Sequence, residues 1–288
     1  MQLHPHLRRI GVAPAAWLGD AAAGVCLTFD VDAESNLLAR GEHYLEHLST
    51  VSHQQYGPRI ALPRILDLLA RHSVPATFFV PGIIAERWPE AVMAITKAGH
   101  EVGVHGYRHL TPAELSENAQ TQELRLGIEA LTRLGVQPIG YRAPSWSTTV
   151  HTLRLLAEHG LVYDSSLMDD DRPYVLQAPW GRTAELPPRW LLDDWEQYAY
   201  LPDPDVREAI ETPGKVLELW SDEVDAMRAT HSLCVLTCHP LLSGRPSRLR
   251  ALERFIQRAQ NWGDMRFLRC DHVAAAVLAA PAEPYACA

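Results

Sequence analysis

Charged side chains stand at the ends of apolar segments, where a parallel sheet would expose them. Asp30 and Asp32 close the strand-like segment 24–30. A buried carboxylate is costly unless a cation, a proton or hydrogen-bond donors accompany it. The two aspartates therefore indicate a metal site or a general base, although an Asp-containing turn explains the same residues.

Two histidines add to this chemistry. His105 and His109 lie four residues apart, so they can bind one ion from a strand-to-turn junction. With a carboxylate from another strand end they make the two-histidine, one-carboxylate set that divalent metals accept. Histidine pairs at this spacing are also common on surfaces and in cores, so the spacing alone leaves both interpretations open.

Three further polar side chains close predicted strands, namely Arg142, Asp164 and His239. At a strand end Arg142 suits two-pronged binding of a carboxylate, and a surface salt bridge is the alternative. Asp164 could belong to a simple turn. A lone histidine such as His239 is often a core residue whose hydrogen bonds are satisfied.

Strand-like and helix-like segments alternate along the chain, with about eight strands in all. Apolar residues recur at helical spacing in 58–72, 83–98 and 112–134. The alternation predicts a mainly parallel α/β sheet, either doubly wound or closed into a barrel. The functional loops of parallel strands share one face, so the candidate residues are expected to converge there.

Three segments are predicted to be irregular. Residues 1–23 form a lead-in, and residues 33–57 form a long loop with a short helix. Residues 165–205 form extended loops around a strand at Ala184–Leu186. Within them the aromatic and acidic loop 186–201 is expected either to line the pocket or to form a packing interface.

Composition restricts the class of protein. The chain has 288 residues, 47% hydrophobic and 21% charged, as is typical of a globular protein. The formal net charge of -9 disfavours nucleic-acid binding, and no apolar run reaches the roughly 20 residues that span a membrane. Residues 1–10 lack a secretory pattern, and the five cysteines form no Cys-x-x-Cys pair. We therefore expect one domain over residues 1–288, located in the cytoplasm.

Taken together, the motifs resemble the polysaccharide deacetylase superfamily, also described as NodB-homology or carbohydrate esterase 4-like. The matching segments, in the family's order, are Thr28-Phe29-Asp30 with Asp32, His105-xxx-His109, Arg142-Ala143-Pro144, the Asp164 segment and Leu236-xx-His239-Pro240. The superfamily's usual Thr-Phe-Asp-Asp-Gly has adjacent aspartates, whereas Val31 separates the two here. Segments 29–34, 163–168 and 244–249 are similar to a branch of allantoinase-like proteins, cyclic imide hydrolases and soluble peptidoglycan deacetylase-like proteins.

The resemblance implies a distorted (β/α) barrel of about seven to eight strands and a hydrolase with a divalent metal, usually zinc. It assigns the metal ligands to Asp32, His105 and His109. It makes Asp30 the base, held ionised and oriented by Arg142, and His239 the acid that protonates the leaving nitrogen. Asp164 would orient His239 or form a salt bridge.

The implied substrate is a non-peptide carbon–nitrogen bond in an amide, a cyclic imide or ureide, or an N-acetylated sugar. Glu34, Trp146 and Trp195 are the candidate substrate-binding residues. The alternatives are a polysaccharide or peptidoglycan N-deacetylase, a metal-free allantoinase-type hydrolase, and a binding or assembly protein that kept only the fold. The branch also implies a homo-oligomer, a tetramer.

Overall fold

The computed structural model describes residues 4–201 and 210–282. In these residues ten strands form one sheet, in the order β1-β7-β8-β6-β5-β4-β3-β2, with β9 and β10 both paired to β2. The strands are β1 Arg8–Ile10, β2 Ala23–Asp30, β3 Ala76–Val80, β4 Glu101–Val104, β5 Gly140–Tyr141, β6 Tyr163–Asp164, β7 Tyr174–Ala178, β8 Gly181–Glu185, β9 Leu233–Cys238 and β10 Met265–Phe267.

Strand β2 is the centre of the sheet, and all eight of its residues are buried. It pairs in parallel with β9 over Gly24–Phe29 and with β3 over Leu27–Asp30. The first three residues of β2 pair with β10. From β2 outward, β3, β4, β5, β6 and β8 continue in parallel, so their carboxyl ends lie at one face of the sheet.

The chain that follows β8 returns to the opposite edge of this sheet. Asp193 forms an isolated parallel bridge with Thr237 of β9, and the amide of Asp194 donates to the Thr237 carbonyl at 3.0 Å. This contact joins the two ends of the parallel strand order, as a distorted barrel requires. The predicted α/β barrel is confirmed, with β1 and β7 in addition to the strands expected from the sequence.

Helices connect the strands and cover the sheet, as parallel strands demand. In the described residues they are α1 Ala15–Leu18, α2 Ser35–Leu38, α3 Leu48–Tyr56, α4 Leu62–His72, α5 Gly82–Arg87, α6 Pro89–Lys97, α7 Glu117–Thr132, α8 Val150–Glu158, α9 Trp195–Tyr198, α10 Pro213–Thr230, α11 Pro240–Ser243, α12 Pro246–Trp262 and α13 Cys270–Ala279. None of the described helices has the length and hydropathy that crossing a bilayer requires.

The segments predicted to be irregular contain more structure than expected. The 1–23 lead-in includes β1 and α1, and residues 33–57 are mostly helical. Helix α3 escaped detection because only Val51 and Gln54 are buried on it, so it has no apolar stripe. The predicted loop 165–205 carries the β7–β8 hairpin, and its residues 202–205 lie outside the described residues.

Glu101 is a buried carboxylate at the amino end of β4, away from the face where the candidate residues meet. It accepts hydrogen bonds from Thr77 Oγ1 at 2.6 Å and Tyr163 Oη at 2.7 Å, and from the Asp271 amide at 3.0 Å. Burial and the charge of Asp271 raise its pKa to about 7, although the first two hydrogen bonds act to lower it. The carboxyl group thus joins β3, β6 and α13.

Replacing Glu101 with Gln should change how stability depends on pH. The folded-state pKa lies above the ordinary 4.5, so folding favours the protonated form. That stabilisation is present below pH 4.5 and is lost as the pH rises through about 7. Relative to Glu101→Gln, the unfolding free energy of the wild type should fall by about 2 to 3 kcal/mol between roughly pH 5 and pH 8. Urea unfolding measures this difference.

The control is Glu218→Gln, at an exposed position of α10. Its unfolding free energy should differ from the wild type by a small amount that does not change with pH. If the unfolding free energies of the wild type and of Glu101→Gln changed with pH in the same way, this result would contradict the raised pKa of Glu101.

Candidate active site

A cavity of about 390 Å³ opens at the carboxyl ends of the parallel strands. Asp30 is the last residue of β2, His105 follows β4 directly, and His239 follows β9 directly. The side chains that line the cavity are Asp30, Asp32, Asn36, Arg40, His105, His109, Ser145, Trp146, Trp190, Asp193, Trp195, Glu196 and His239. Four of the six predicted strand-end side chains, Asp30, Asp32, His105 and His239, therefore line one cavity, whereas Arg142 and Asp164 are not among the lining residues.

Asp32, His105 and His109 form a compact group of potential metal ligands. One donor atom from each lies within 4.8 Å of the others. Asp32 Oδ1 is 3.5 Å from His105 Nε2, and Asp32 Oδ2 is 3.3 Å from His109 Nε2. His105 Nδ1 lies 2.8 Å from the carbonyl of Arg142, which can only accept, so Nδ1 carries the hydrogen and Nε2 offers its lone pair to the cavity.

The surroundings of Asp32 fit a divalent cation. Its Oδ1 is buried and has no hydrogen-bond partner within residues 4–201 and 210–282, while Asn36 Nδ2 donates to Oδ2 at 3.1 Å. Burial acts to raise the pKa of Asp32, but His109, His105 and His239 together hold that pKa well below its ordinary value. An ionised oxygen without a donor, next to two imidazoles, is an arrangement that a cation would complete.

The loops around this group have unusual backbone conformations. Ala33, His109, Ser145 and Trp146 have φ values of 43°, 62°, 55° and 51°, in the left-handed region. Such conformations cost free energy in residues other than glycine and persist where the surroundings enforce them. The loops that present the cavity side chains are therefore held in specific shapes by the fold.

Arg142 holds Asp30 from behind. The guanidinium is fully buried, and its Nη1 donates to Asp30 Oδ1 at 2.8 Å and to Thr28 Oγ1 at 2.9 Å. Its Nη2 donates to Ser165 Oγ at 3.0 Å. Asp30 Oδ2, in contrast, lies 3.8 Å from His105 Nε2. One oxygen of Asp30 is thus fixed by the arginine and the other faces the metal-ligand group.

Asp194 holds His239 in a similar way. Asp194 Oδ1 accepts from His239 Nδ1 at 2.7 Å and from the His239 amide at 2.9 Å, and Ser243 donates to Oδ2. Burial alone would lower the pKa of His239, but the hydrogen bond that His239 donates to Asp194 and the charge of Asp193 raise it to about 10. At neutral pH both nitrogens of the His239 ring therefore carry hydrogen. Its Nε2 lies 3.5 Å from Asp32 Oδ2.

The expectation that Asp164 orients His239 is wrong, because Asp194 holds that position. Asp164 Oδ1 accepts from the Ser165 amide at 2.9 Å and from Ser166 Oγ at 2.7 Å. Strand β6, which ends at Asp164, is separated from β9 by β5, β4, β3 and β2. The described residues include no salt bridge to Asp164 within 4.0 Å, so the alternative role is not found either.

The prediction that Glu34 binds the substrate is also wrong. Its side chain is fully buried and does not line the cavity. The carboxylate accepts from Arg87 Nε at 2.8 Å and from Trp88 Nε1 at 3.1 Å. Glu34 therefore ties the loop after β2 to the α5–α6 junction and is not available to a substrate.

Loop 186–201 lines the cavity, as one of its two interpretations predicted. Trp195 packs against the His239 ring with centroids 5.3 Å apart, and Trp146 packs against Trp190 at 4.6 Å. Trp146 and Trp195 line the cavity, as a substrate-binding role requires. The sequence did not predict that Asp194 pairs with His239 or that Asn36 and Arg40 line the cavity. The acidic pair before Trp195 was a usable signal, since a buried histidine at a strand end needs a carboxylate or carbonyl partner.

Comparisons with known proteins identify the family of the chain. The polysaccharide deacetylase family profile matches residues 55–163. A crystal structure from Mycobacterium smegmatis, assigned to the polysaccharide deacetylases, is 44% identical, with a TM-score of 0.89 and coverage of 96% of this chain and 100% of that one. The Puue allantoinase structure is 26% identical, with a TM-score of 0.80 and coverage of 95% and 93%. Helicobacter pylori (strain ATCC 700392 / 26695) peptidoglycan deacetylase is 28% identical over 251 residues, which cover 78% of this chain and 86% of the relative. The chain therefore belongs to the polysaccharide deacetylase family of carbon–nitrogen hydrolases.

Proposed function

We propose that the protein is a metal-dependent hydrolase that removes the N-acetyl group of a small amino-sugar substrate. The observation that carries the proposal is the buried, unpartnered Oδ1 of Asp32 between two imidazoles. The proposed base, Asp30, and the proposed acid, His239, line the same cavity, and hydrolysis of an amide needs both.

Asp32, His105 and His109 would hold the cation, and their mixed carboxylate and imidazole donors favour zinc. A cation bound there would polarise the scissile carbonyl and acidify a neighbouring water. Asn36 fixes the Oδ2 side of Asp32, and the Arg142 carbonyl fixes the ring of His105. These contacts orient the ligands before any cation arrives.

Asp30 is the proposed general base. Because Arg142 occupies Oδ1, only Oδ2 remains to accept a proton from the attacking water. Arg142 and Asp30 form a buried ion pair, and a fully buried guanidinium without a carboxylate partner would be costly. Asp30 thus combines a fixed position with one available oxygen.

His239 is the proposed general acid. Asp194 holds Nδ1, so the proton on Nε2 points towards the Asp32 side of the cavity. When the tetrahedral adduct collapses, the leaving nitrogen must gain a proton, and Nε2 can donate it. Trp195 packs on the imidazole ring and limits its access to bulk water.

A second candidate function is the opening of a cyclic imide or ureide. The cavity volume of about 390 Å³ lies towards the small end of the range of ligand sites, and flat tryptophan rings form part of its wall. These features suit a planar five-membered ring as well as one sugar residue. The retained ligand, base and acid set disfavours a protein that only binds or assembles.

The tetramer, the cytoplasmic location and the single domain over residues 1–288 stay predictions. The first is open to sedimentation analysis of the purified protein, and the second to fractionation of cells that produce it.

The proposal predicts that activity depends on a bound metal. N-acetylated amino sugars, hydantoin and succinimide are to be assayed before chelation, after chelation, and after zinc is restored. At least one substrate should be hydrolysed, and chelation should reduce turnover at least about a hundredfold, because the cation activates both reactants. Full turnover by metal-free protein would favour the allantoinase-type mechanism instead.

Metal content provides a matched readout that does not depend on the substrate. The wild type should bind about one divalent ion per chain, and His105→Ala should lose it. His151→Ala, which changes a histidine of α8 outside the cavity, should retain it.

Asp30→Asn tests the base. Asparagine keeps an oxygen that can accept from Arg142, so the fold should survive while proton transfer is lost. We expect kcat to fall about a hundredfold to ten-thousandfold. Steady-state kinetics and a thermal melt measure the two effects, with Asp20→Asn at an exposed position as the control. Near-normal turnover in folded Asp30→Asn would refute this role.

Asp194→Asn and Asp164→Asn distinguish the two carboxylates proposed to act behind His239. Asp194→Asn should lower kcat about a hundredfold or more with little change in KM, because the imidazole loses its proton-stabilising partner. Asp164→Asn should keep kcat within about tenfold of the wild type, since the Asp164 side chain accepts hydrogen bonds only from Ser165 and Ser166 among the described contacts. The reverse ranking would restore the original expectation.

A further inference from the structure

Arg40 is a cation in the cavity wall that the proposed mechanism does not use. It is the only lysine or arginine among the residues that line the cavity. It lies two residues beyond α2, on the same short segment that carries Asp32 and Asn36. Its amide donates to the Leu37 carbonyl at 3.0 Å, so the backbone that presents the guanidinium is held by a turn.

The guanidinium of Arg40 lacks a protein partner. Within the described ranges, 4–201 and 210–282, it forms neither a hydrogen bond nor an ion pair. Glu196 lines the same cavity but already has an interaction of its own. The other arginine at the site, Arg142, is fully buried. It donates hydrogen bonds to Asp30, Thr28 and Ser165. Among the described lysine and arginine residues that line the cavity, Arg40 is therefore the one whose side-chain donors are free to bind a ligand.

The size of the cavity limits where a partner of Arg40 would sit. A cavity of about 390 Å³ has room for about one ring with a short substituent, so a ligand that reaches Arg40 from this cavity is small. A guanidinium prefers planar oxyanions, which it binds with two parallel hydrogen bonds. A neutral substrate would leave these donors to water.

We infer that Arg40 selects substrates that carry a carboxylate in addition to the scissile carbon–nitrogen bond. This inference rests on the proposed function of the same cavity and adds the charge of the substrate to it. The carboxylate pairs with Arg40 at the mouth of the cavity, while the amide or imide carbonyl lies between Asp30 and His239. The tryptophan rings contact the faces of the connecting ring.

The test compares acids with their methyl esters, which match in shape and differ in charge. One pair is N-acetylmuramic acid and its methyl ester, and the other is hydantoin-5-acetic acid and its methyl ester. In the wild type, kcat/KM for the acid of the hydrolysed pair should exceed that for its ester by about tenfold to a hundredfold. Arg40→Gln should remove this preference mainly through the acid, and Arg154→Gln, at an exposed position of α8, should preserve it.

Binding keeps this test separate from the test of the proposed function. Quenching of tryptophan fluorescence measures affinity for the same acids and esters in the wild type and in Arg40→Gln, without turnover. Tighter binding of an acid that Arg40→Gln abolishes supports the role of Arg40, even if none of the compounds is hydrolysed and the proposed function fails. Equal affinity for acid and ester in the wild type, equal losses for both in Arg40→Gln, or no saturable binding of either acid would overturn it.

Discussion

The buried contact between Arg142 and Asp30 is the interaction on which the site depends. One guanidinium bonds to Asp30 and Thr28 of β2 and to Ser165, just beyond β6. Neither charge could be buried alone, because an unpaired ion in the interior costs several kcal/mol. The pair therefore fixes the ends of β2, β5 and β6 against one another and leaves one oxygen of Asp30 facing the cavity.

A second charged pair lies beside the same cavity. Asp194 and His239 come from opposite ends of the parallel strand order, and they meet because the chain after β8 bridges to Thr237. Closure of the barrel therefore does more than cover an edge strand. It brings Asp194 to the imidazole of His239, and that carboxylate raises the pKa of His239.

Burial alone does not identify the carboxylates that do chemistry. Glu34 and Glu101 are buried as well, but each accepts hydrogen bonds on both of its oxygens from neighbouring elements. Their hydrogen bonds connect neighbouring strands, helices and loops. Asp32 differs because one of its oxygens lacks a donor within the described residues and faces two imidazoles in a cavity. A buried carboxylate oxygen that lacks a hydrogen-bond donor and lies next to a cavity thus distinguishes Asp32 from Glu34 and Glu101.

Local sequence patterns were enough to predict that Asp30, Asp32, His105, Arg142 and His239 lie at strand ends. An apolar strand followed by a polar residue is a local pattern, and parallel topology then brings such strand ends to one face. Only the tertiary structure decided that Asp194 stands behind His239, that Glu34 turns away from the cavity, and that Arg40 faces into it. The first of these contacts spans 45 residues and depends on how a loop crosses the closing edge of the barrel. Such a path depends on packing between distant segments, which local periodicity does not encode.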